Sequence, residues 1–332
     1  MRVLVTGADG FVGRILVRQL AARGYEAVAA TRGGTPQPDA AASVALELGD
    51  PQGIEAALRE ARPDAVAHLA AFSRVGDSWR APAETMTVNA VGTAHLLEAI
   101  ARVDRGIKLL SVGSGDEYGA AGQTGNRLTE EHPCLPRNPY ATSKLAAGQL
   151  ALQLGARAGI CVVHARAFNH FGPGQREGFA ISDFASRIAR IEAGLLPPVL
   201  EVGNLEARRD FLPATAVAQA YVALLEQEVG SGVFNVCSGR ARRIRDMLGE
   251  LLDVAARPIE VRIDPARLRP LDLPVYVGAP DKLTHLTGWT PPEGLGAHVL
   301  ETLQWWRDRM TRSRAGGEPS WEGGERGRRR WE

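Results

Sequence analysis

Lysine is almost missing from this chain. Only Lys108, Lys144 and Lys282 occur, and arginine carries nearly all the positive charge. Net charge is nearly absent too, at +1 from 39 basic and 38 acidic residues. Without a basic excess, neither nucleic acid nor an anionic membrane surface is an expected partner. Cysteine is scarce: Cys134, Cys161 and Cys237 show no metal-ligand spacing, so no metal is expected. Three thiols cannot all pair, and a reducing cytoplasm is the expected compartment. No apolar run approaches membrane-spanning length. With the first strand expected from Arg2, no signal peptide is expected ahead of the fold. Internal repeats are absent. What remains is a chain of 332 residues, enough for two lobes or one large domain.

The first half alternates two kinds of segment. Apolar runs at 2–6, 26–31, 44–48, 64–70, 107–113 and 160–167 read as strands. Helix-like stretches lie at 11–23, 52–61, 83–103 and 140–158. Continuous apolar strands separated by helices predict an α/β fold with a doubly wound parallel sheet. Beyond Phe168 the pattern is irregular. Helices are predicted near 179–193 and 294–310, with short strands near 199–202, 233–237 and 259–263. Residues 1–168 are expected to form one domain, to which some later segments return. Residues 169–310 are expected to make mainly a smaller α/β lobe, and 311–332 a disordered tail.

Residues 6–13 read TGADGFVG, between the first strand and the first helix. Gly7, Gly10 and Gly13, with Phe11 and Val12 among them, suit a turn that brings the backbone close to a pyrophosphate. The helix N-terminus attracts the same anion. The context predicts a Rossmann dinucleotide site rather than a plain strand–helix turn. At the end of the second strand stands Arg32, where an NAD-selective site often carries an acid. An arginine there can accept a 2′-phosphate, which favours NADPH over NADH. In a chain this rich in arginine, chance placement is the competing reading.

Tyr140 and Lys144, in the run NPYATSK, stand four residues apart. That spacing puts both side chains on one helix face. A nearby ammonium favours the phenolate, so the phenol can trade its proton nearer neutral pH. Such a group can protonate a carbonyl oxygen during reduction. Ser114, in VGSGDEYG, offers a hydroxyl to the same developing alkoxide. The plain alternatives are a surface tyrosine and a turn serine.

Together these motifs resemble the extended short-chain dehydrogenase/reductase family. The glycine turn, His68-Leu69-Ala70-Ala71, Asn89, Ser114 and the Tyr140/Lys144 pair carry the resemblance over about residues 1–310. It implies a Rossmann domain for NADPH or NADH and a smaller lobe for a nucleotide sugar. By resemblance, Asp50 would contact adenine, and Leu69, Ala70, Ala71 and Ser73 would line the cofactor. Lys144 would hold the nicotinamide ribose as well. His68, at a strand end, reads as structural.

The runs RAFNHFGPGQ, GNLEARRDF and DPARLRPLD resemble the branch acting on GDP-mannose derivatives. That branch implies Asn169 and Gly115 on the substrate, and His170 and Gln175 beside the nicotinamide. Arg209 and Arg269 would hold the diphosphate. Asp272 would contact the guanosine ribose, and Asn204 the guanine. The implied reaction is reduction of the 4-keto group of GDP-4-keto-6-deoxy-D-mannose to GDP-D-rhamnose. Its rivals are loss of water from GDP-mannose, epimerisation of another nucleotide sugar and, from another class, non-catalytic sensing of the dinucleotide. Dehydratases of this kind carry Thr-x-Glu where this chain has Ser114-Gly115-Asp116. Aspartate is a methylene shorter, which disfavours dehydration. A hydrogen-bonding loop carboxylate is the equal alternative for Asp116, and Glu117 should point away if the segment is extended. Relatives also imply a homodimer through helices near 84–103 and 140–158.

Overall fold

A computed structural model describes residues 1–268 and 273–314. Among them the strands are β1 (Arg2–Thr6), β2 (Glu26–Thr31), β3 (Ala42–Ala45), β4 (Ala65–His68), β5 (Lys108–Ser114), β6 (Val162–Ala167), β7 (Asn169–Phe171), β8 (Val199–Val202), β9 (Arg208–Pro213), β10 (Gly232–Val236), β11 (Ala241–Arg243), β12 (Glu260–Ile263) and β13 (Val275–Tyr276). The helices are α1 (Phe11–Ala22), α2 (Pro51–Ala61), α3 (Val75–Arg80), α4 (Pro82–Met86), α5 (Gly92–Val103), α6 (Pro139–Ala158), α7 (Ala180–Glu192), α8 (Ala214–Glu226), α9 (Ile244–Leu252), α10 (Asp281–Thr287) and α11 (Gly296–Arg314).

The chain divides into two compact units. The first takes Met1–His170, Glu206–Arg243 and the described part of Leu271–Glu293. The second takes Phe171–Leu205 and the described parts of Ile244–Pro270 and Gly294–Glu332.

A seven-stranded sheet, in the order β10-β6-β5-β4-β1-β2-β3, centres the first unit. Its pairings are all parallel. Successive side chains on a strand face opposite sides, and the buried residues sort accordingly. Val3, Val5, Ala27 and Ala29 join one core with Leu16 and Tyr221, under α1 and α8. Leu4, Val28, Ala30 and Val66 join another with Leu58 and Leu97, under α2 and α5. The strand order turns back between β1 and β4, where Thr6 is the register partner of His68. That is the topological switch point, where parallel α/β sheets bind ligands.

The single helix predicted at 83–103 is a broken series: α3, α4, a π-turn over Thr87–Val91, then α5. Pro82 starts α4, since proline is tolerated in a first turn but not inside a helix. The π-turn points Asn89 inward. Its side chain accepts from Phe72 N at 2.8 Å and donates to Ser143 Oγ at 2.9 Å, tying the loop after β4 to α6.

In the second unit β8 and β12 pair in parallel, and α11 packs on α7. Arg307 Nη2 lies 2.6 Å from Glu192 Oε1, and Trp306 Nε1 donates to Ser182 Oγ at 3.2 Å. The final helix therefore runs past its predicted end, and residues 311–314, expected in the tail, are helical. The rest of the expected tail, 315–332, lies outside the described residues.

Candidate active site

The turn after β1 is built for close approach. Gly7 has φ +67°, and a Cβ there would stand 2.9 Å from Ala70 N. A Cβ on Gly13 would stand 2.1 Å from Gly7 O. Gly10 N donates to Gly7 O at 2.9 Å and caps α1, which starts at Phe11 and carries no side-chain cap or first-turn acid. The first-turn amides of α1 are thus left to an anion. This cradle fits a dinucleotide pyrophosphate. Val12 packs partly buried against the core beneath it.

A hydroxyl–imidazole chain pins the switch point. Thr6 Oγ1 accepts from Ala70 N at 3.1 Å and stands 2.8 Å from His68 Nδ1. His68 Nε2 faces Thr93 Oγ1 at 3.1 Å, and Thr93 donates to Asn89 O at 2.6 Å. These directions make Nδ1 the acceptor and Nε2 the donor of a neutral ring. Burial, with the Lys144 charge behind it, pushes His68 down to about 3. His68 ties β1, β4 and α5 together and carries no charge at working pH. Leu69, Ala70 and Ala71 continue from it at partly exposed positions, and Ser73 is exposed.

Arg32 follows β2 with its side chain 80% exposed, its Nε 2.8 Å from Glu47 Oε2. Asp50 is the exposed N-cap residue of α2, without a side-chain cap bond.

The catalytic candidates meet at the end of β5. Asn138 Oδ1 caps α6 by accepting from Ala141 N at 2.8 Å, and Tyr140 N donates to Ser78 Oγ at 3.1 Å. One turn on, Lys144 is buried, and its Nζ donates to Val112 O at 2.8 Å. Burial pushes the Lys144 ammonium down to about 8, against the pull of the Glu117 charge. Tyr140 departs from the sequence expectation. Burial raises its phenol well above the ordinary value, the Asp116 charge adds to this, and a hydrogen bond with Ser114 only partly offsets them. The Lys144 ammonium is committed to Val112 O, so Tyr140 stands as a protonated donor.

Ser114 ends β5. Its Oγ accepts from Asp116 N at 3.1 Å, and its N donates to Glu117 Oε1 at 2.8 Å. Gly115–Tyr118 is a 3₁₀ turn, not extended chain, which corrects the expectation for Glu117. Its side chain does not point away but folds back, fully buried, onto Ser114. Gly115 lies under Phe168, whose ring a Cβ would meet at 3.0 Å, and its O accepts from Tyr276 Oη at 2.6 Å.

Asn169 Nδ2 donates to Asp210 O at 3.2 Å. His170 Nδ1 donates to Phe168 O at 3.0 Å, and its ring stacks on Phe11 with centroids 6.2 Å apart. Burial lowers the His170 pKa. Arg209 Nη1, on β9, donates to Arg208 O at 2.8 Å and Leu273 O at 2.7 Å. Gln175 is buried and Asn204 partly buried, both in the second unit. Arg269 and Asp272 lie outside the described residues. Sequence reasoning missed His164 and Arg166 and set Glu117 aside as pointing away; the three form one buried group. Two polar side chains at alternate positions of the apolar run VVHARA were the available signal.

A glycine turn at the switch point, with serine, tyrosine and lysine at the neighbouring strand end, defines an extended short-chain dehydrogenase/reductase. The family described as GDP-mannose 4,6 dehydratase matches residues 4–302. GDP-6-deoxy-D-mannose reductase of Pseudomonas aeruginosa is 38% identical over 309 residues, covering 93% of this chain and 98% of that protein. GDP-mannose 4,6-dehydratase of Vibrio cholerae is 27% identical, covering 87% of this chain and 89% of that protein. The solved structure of RMD from Pseudomonas aeruginosa complexed with NADPH aligns with a TM-score of 0.83 at 36% identity, covering 93% of this chain and 100% of that one. The chain belongs to the GDP-mannose 4,6-dehydratase family.

Proposed function

We propose that this protein reduces the 4-keto group of GDP-4-keto-6-deoxy-D-mannose with NADPH, giving GDP-D-rhamnose. The observation that carries this reading is the end of β5, where the Ser114 hydroxyl stands beside Tyr140 and Lys144 lies one helical turn on. The similarity to a GDP-6-deoxy-D-mannose reductase supports it.

Gly7, Gly10, Gly13, Phe11 and Val12 would hold the dinucleotide, with Leu69, Ala70, Ala71 and Ser73 along its far half and Asp50 at the adenine. Arg32 would release Glu47 for the 2′-phosphate, which favours NADPH over NADH. When bound, the nicotinamide supplies the hydride for the carbonyl carbon. The chain's own groups manage the oxygen. Ser114 Oγ–H donates to it and fixes its place. Tyr140 gives it the phenolic proton as negative charge develops, becoming phenolate. Lys144, charged below about pH 8, stabilises that phenolate. Arg209 and Arg269 are assigned to the diphosphate, Asn204 and Asp272 to the guanosine, Asn169 and Gly115 to the sugar, and His170 to the nicotinamide side.

Asp116 favours a second reading. It faces Tyr140 at the position of the dehydratase glutamate, and a carboxylate there can move a proton during loss of water. One experiment separates the two. Purified protein receives the 4-keto sugar nucleotide with NADPH, then GDP-mannose without added reductant. Stoichiometric loss of nicotinamide absorbance in the first mixture, and no keto product in the second, is the expected result. A keto product from GDP-mannose, without consumption of NADPH, would move the assignment to the dehydratase.

The enzyme is further read as a cytoplasmic homodimer. Cys134, Cys161 and Cys237 are free thiols, which suits a reducing compartment. No helix among the described residues is long and apolar enough to cross a membrane.

A further inference from the structure

Under the Ser114 turn lies a buried charge cluster that the proposed mechanism leaves unused. Glu117 is 0% exposed. Its Oε1 accepts from Ser114 N at 2.8 Å and stands 3.1 Å from His164 Nε2, while its Oε2 accepts from Arg166 Nε at 2.8 Å. A carboxylate only accepts, so His164 Nε2 carries a proton. Two glycines clear the space. A Cβ on Gly113 would fall 2.3 Å from Glu117 Oε1, and one on Gly148 would fall 2.4 Å from His164 Nε2. Gly113 is on β5, beside Ser114. Gly148 is on α6, one turn past Lys144. The end of β5 is therefore gripped twice: Lys144 holds Val112 O, and Glu117 holds Ser114 N.

A fully buried ion pair is an expensive way to fill a core. An apolar group of the same volume is often as stable or more so. The cluster therefore calls for a function beyond packing, and its two attachments indicate one. We infer that Glu117 is a positioning residue for the reaction, fixing Ser114 through its amide and serving as the buried counter-charge of the Lys144 ammonium. The inference rests on the catalytic roles proposed above for Ser114 and Lys144.

The other groups facing Lys144 do not take that part. His68, from β4, is neutral, and Tyr140, on the same helix, stays protonated. Asp116 acts on Tyr140, which Tyr221 of α8 also faces. Around Glu117 itself stand His164 and Arg166 of β6, with Cys134 nearby. Burial pushes Glu117 up, but its pairing with His164 and Arg166 outweighs this and holds the carboxyl ionised. Glu117 is the charge that pulls Lys144 upward.

The low lysine content makes a direct test possible. Lysine labelled with ¹³C at Cε gives signals from Lys108, Lys144 and Lys282 alone, and Lys144→Met assigns the one of interest. Its titration midpoint is read by NMR on free protein, with no turnover involved. The pH profile of kcat/KM is read alongside. Glu117→Gln keeps an acceptor for Ser114 N and removes the charge. We expect the Lys144 midpoint to fall by about one pH unit, with the alkaline limb of kcat/KM falling beside it. KM for the sugar nucleotide should stay within about twofold while kcat drops. Glu117→Asp restores charge but not reach, so the midpoint returns and kcat stays depressed. A Lys144 midpoint and alkaline limb that match wild type in a folded Glu117→Gln protein, with only the melting temperature lowered, would overturn the inference. Should that variant not fold, Glu117→Gln with Arg166→Met removes both buried charges and is read the same way. If wild type fails to consume NADPH, the reductase reading falls, while the NMR titration still decides whether Glu117 charges Lys144.

Discussion

At the scale of single residues, the two halves of the proton donor behave differently in the fold. Tyr140 is held protonated by burial and by the Asp116 charge, so it is ready to donate across the neutral range. Replacing it with phenylalanine keeps the ring and removes the proton. Turnover should fall by about 10²–10⁴, the usual loss for a general acid. Steady-state kinetics checks this, and wild-type turnover in Tyr140→Phe would take the residue out of the mechanism. Lys144 sets the pH dependence. Its ammonium, pushed down to about 8 by burial, is fully charged well below that pH and lost above it. Since kcat/KM reports the free enzyme, it should be level below about pH 7 and fall by about tenfold per pH unit above about 8. An alkaline limb beginning only near the ordinary lysine value would contradict the buried setting of Lys144.

At the scale of elements, the turn between β1 and α1 depends on backbone that no side chain can share. Alanine at Gly13 would drive a Cβ to 2.1 Å from Gly7 O and 2.9 Å from Ala8 Cα, and neither atom can rotate aside. Gly13→Ala should lower stability by about 1–3 kcal/mol, the usual range for overpacking, and abolish tight NADPH binding. Thermal melts and NADPH fluorescence titration check the two effects separately. This turn was legible in the sequence because its signal is local: a strand, three spaced glycines, a helix. The same holds for β1, β2 and α6, whose predicted spans agree with the structure to within a residue. The break at 82–91 was not legible, because the π-turn exists to send Asn89 to Phe72 and Ser143, partners set by tertiary contact. Glu117 was misread for a similar reason. Its direction depends on a 3₁₀ turn and on two partners from β6, neither of which the local pattern GDEY announces.

At the scale of the whole molecule, the surface of α6 bears on assembly. Charged residues make up 23% of the chain, yet between Pro139 and Ala156 this helix has one charge, Lys144, which is buried. The side chains it exposes there are Thr142, Gln149, Gln153 and Ala156. Their spacing of seven, four and three puts them on one stripe. An exposed stripe of small and neutral groups suits close contact with a second copy, since charged residues are depleted at interface centres. In a two-fold dimer each stripe would meet its own copy, so a charge placed on it faces a like charge. Gln149→Glu combined with Gln153→Glu should therefore split the proposed homodimer. Both positions are exposed, so the isolated fold should lose no more than about 0.5 kcal/mol. Light scattering on the eluting peak should give about twice the 35.5 kDa chain mass for wild type and a single chain mass for the double variant. A wild type that elutes as one chain, or a double variant that stays paired, would remove this face of α6 from the assembly.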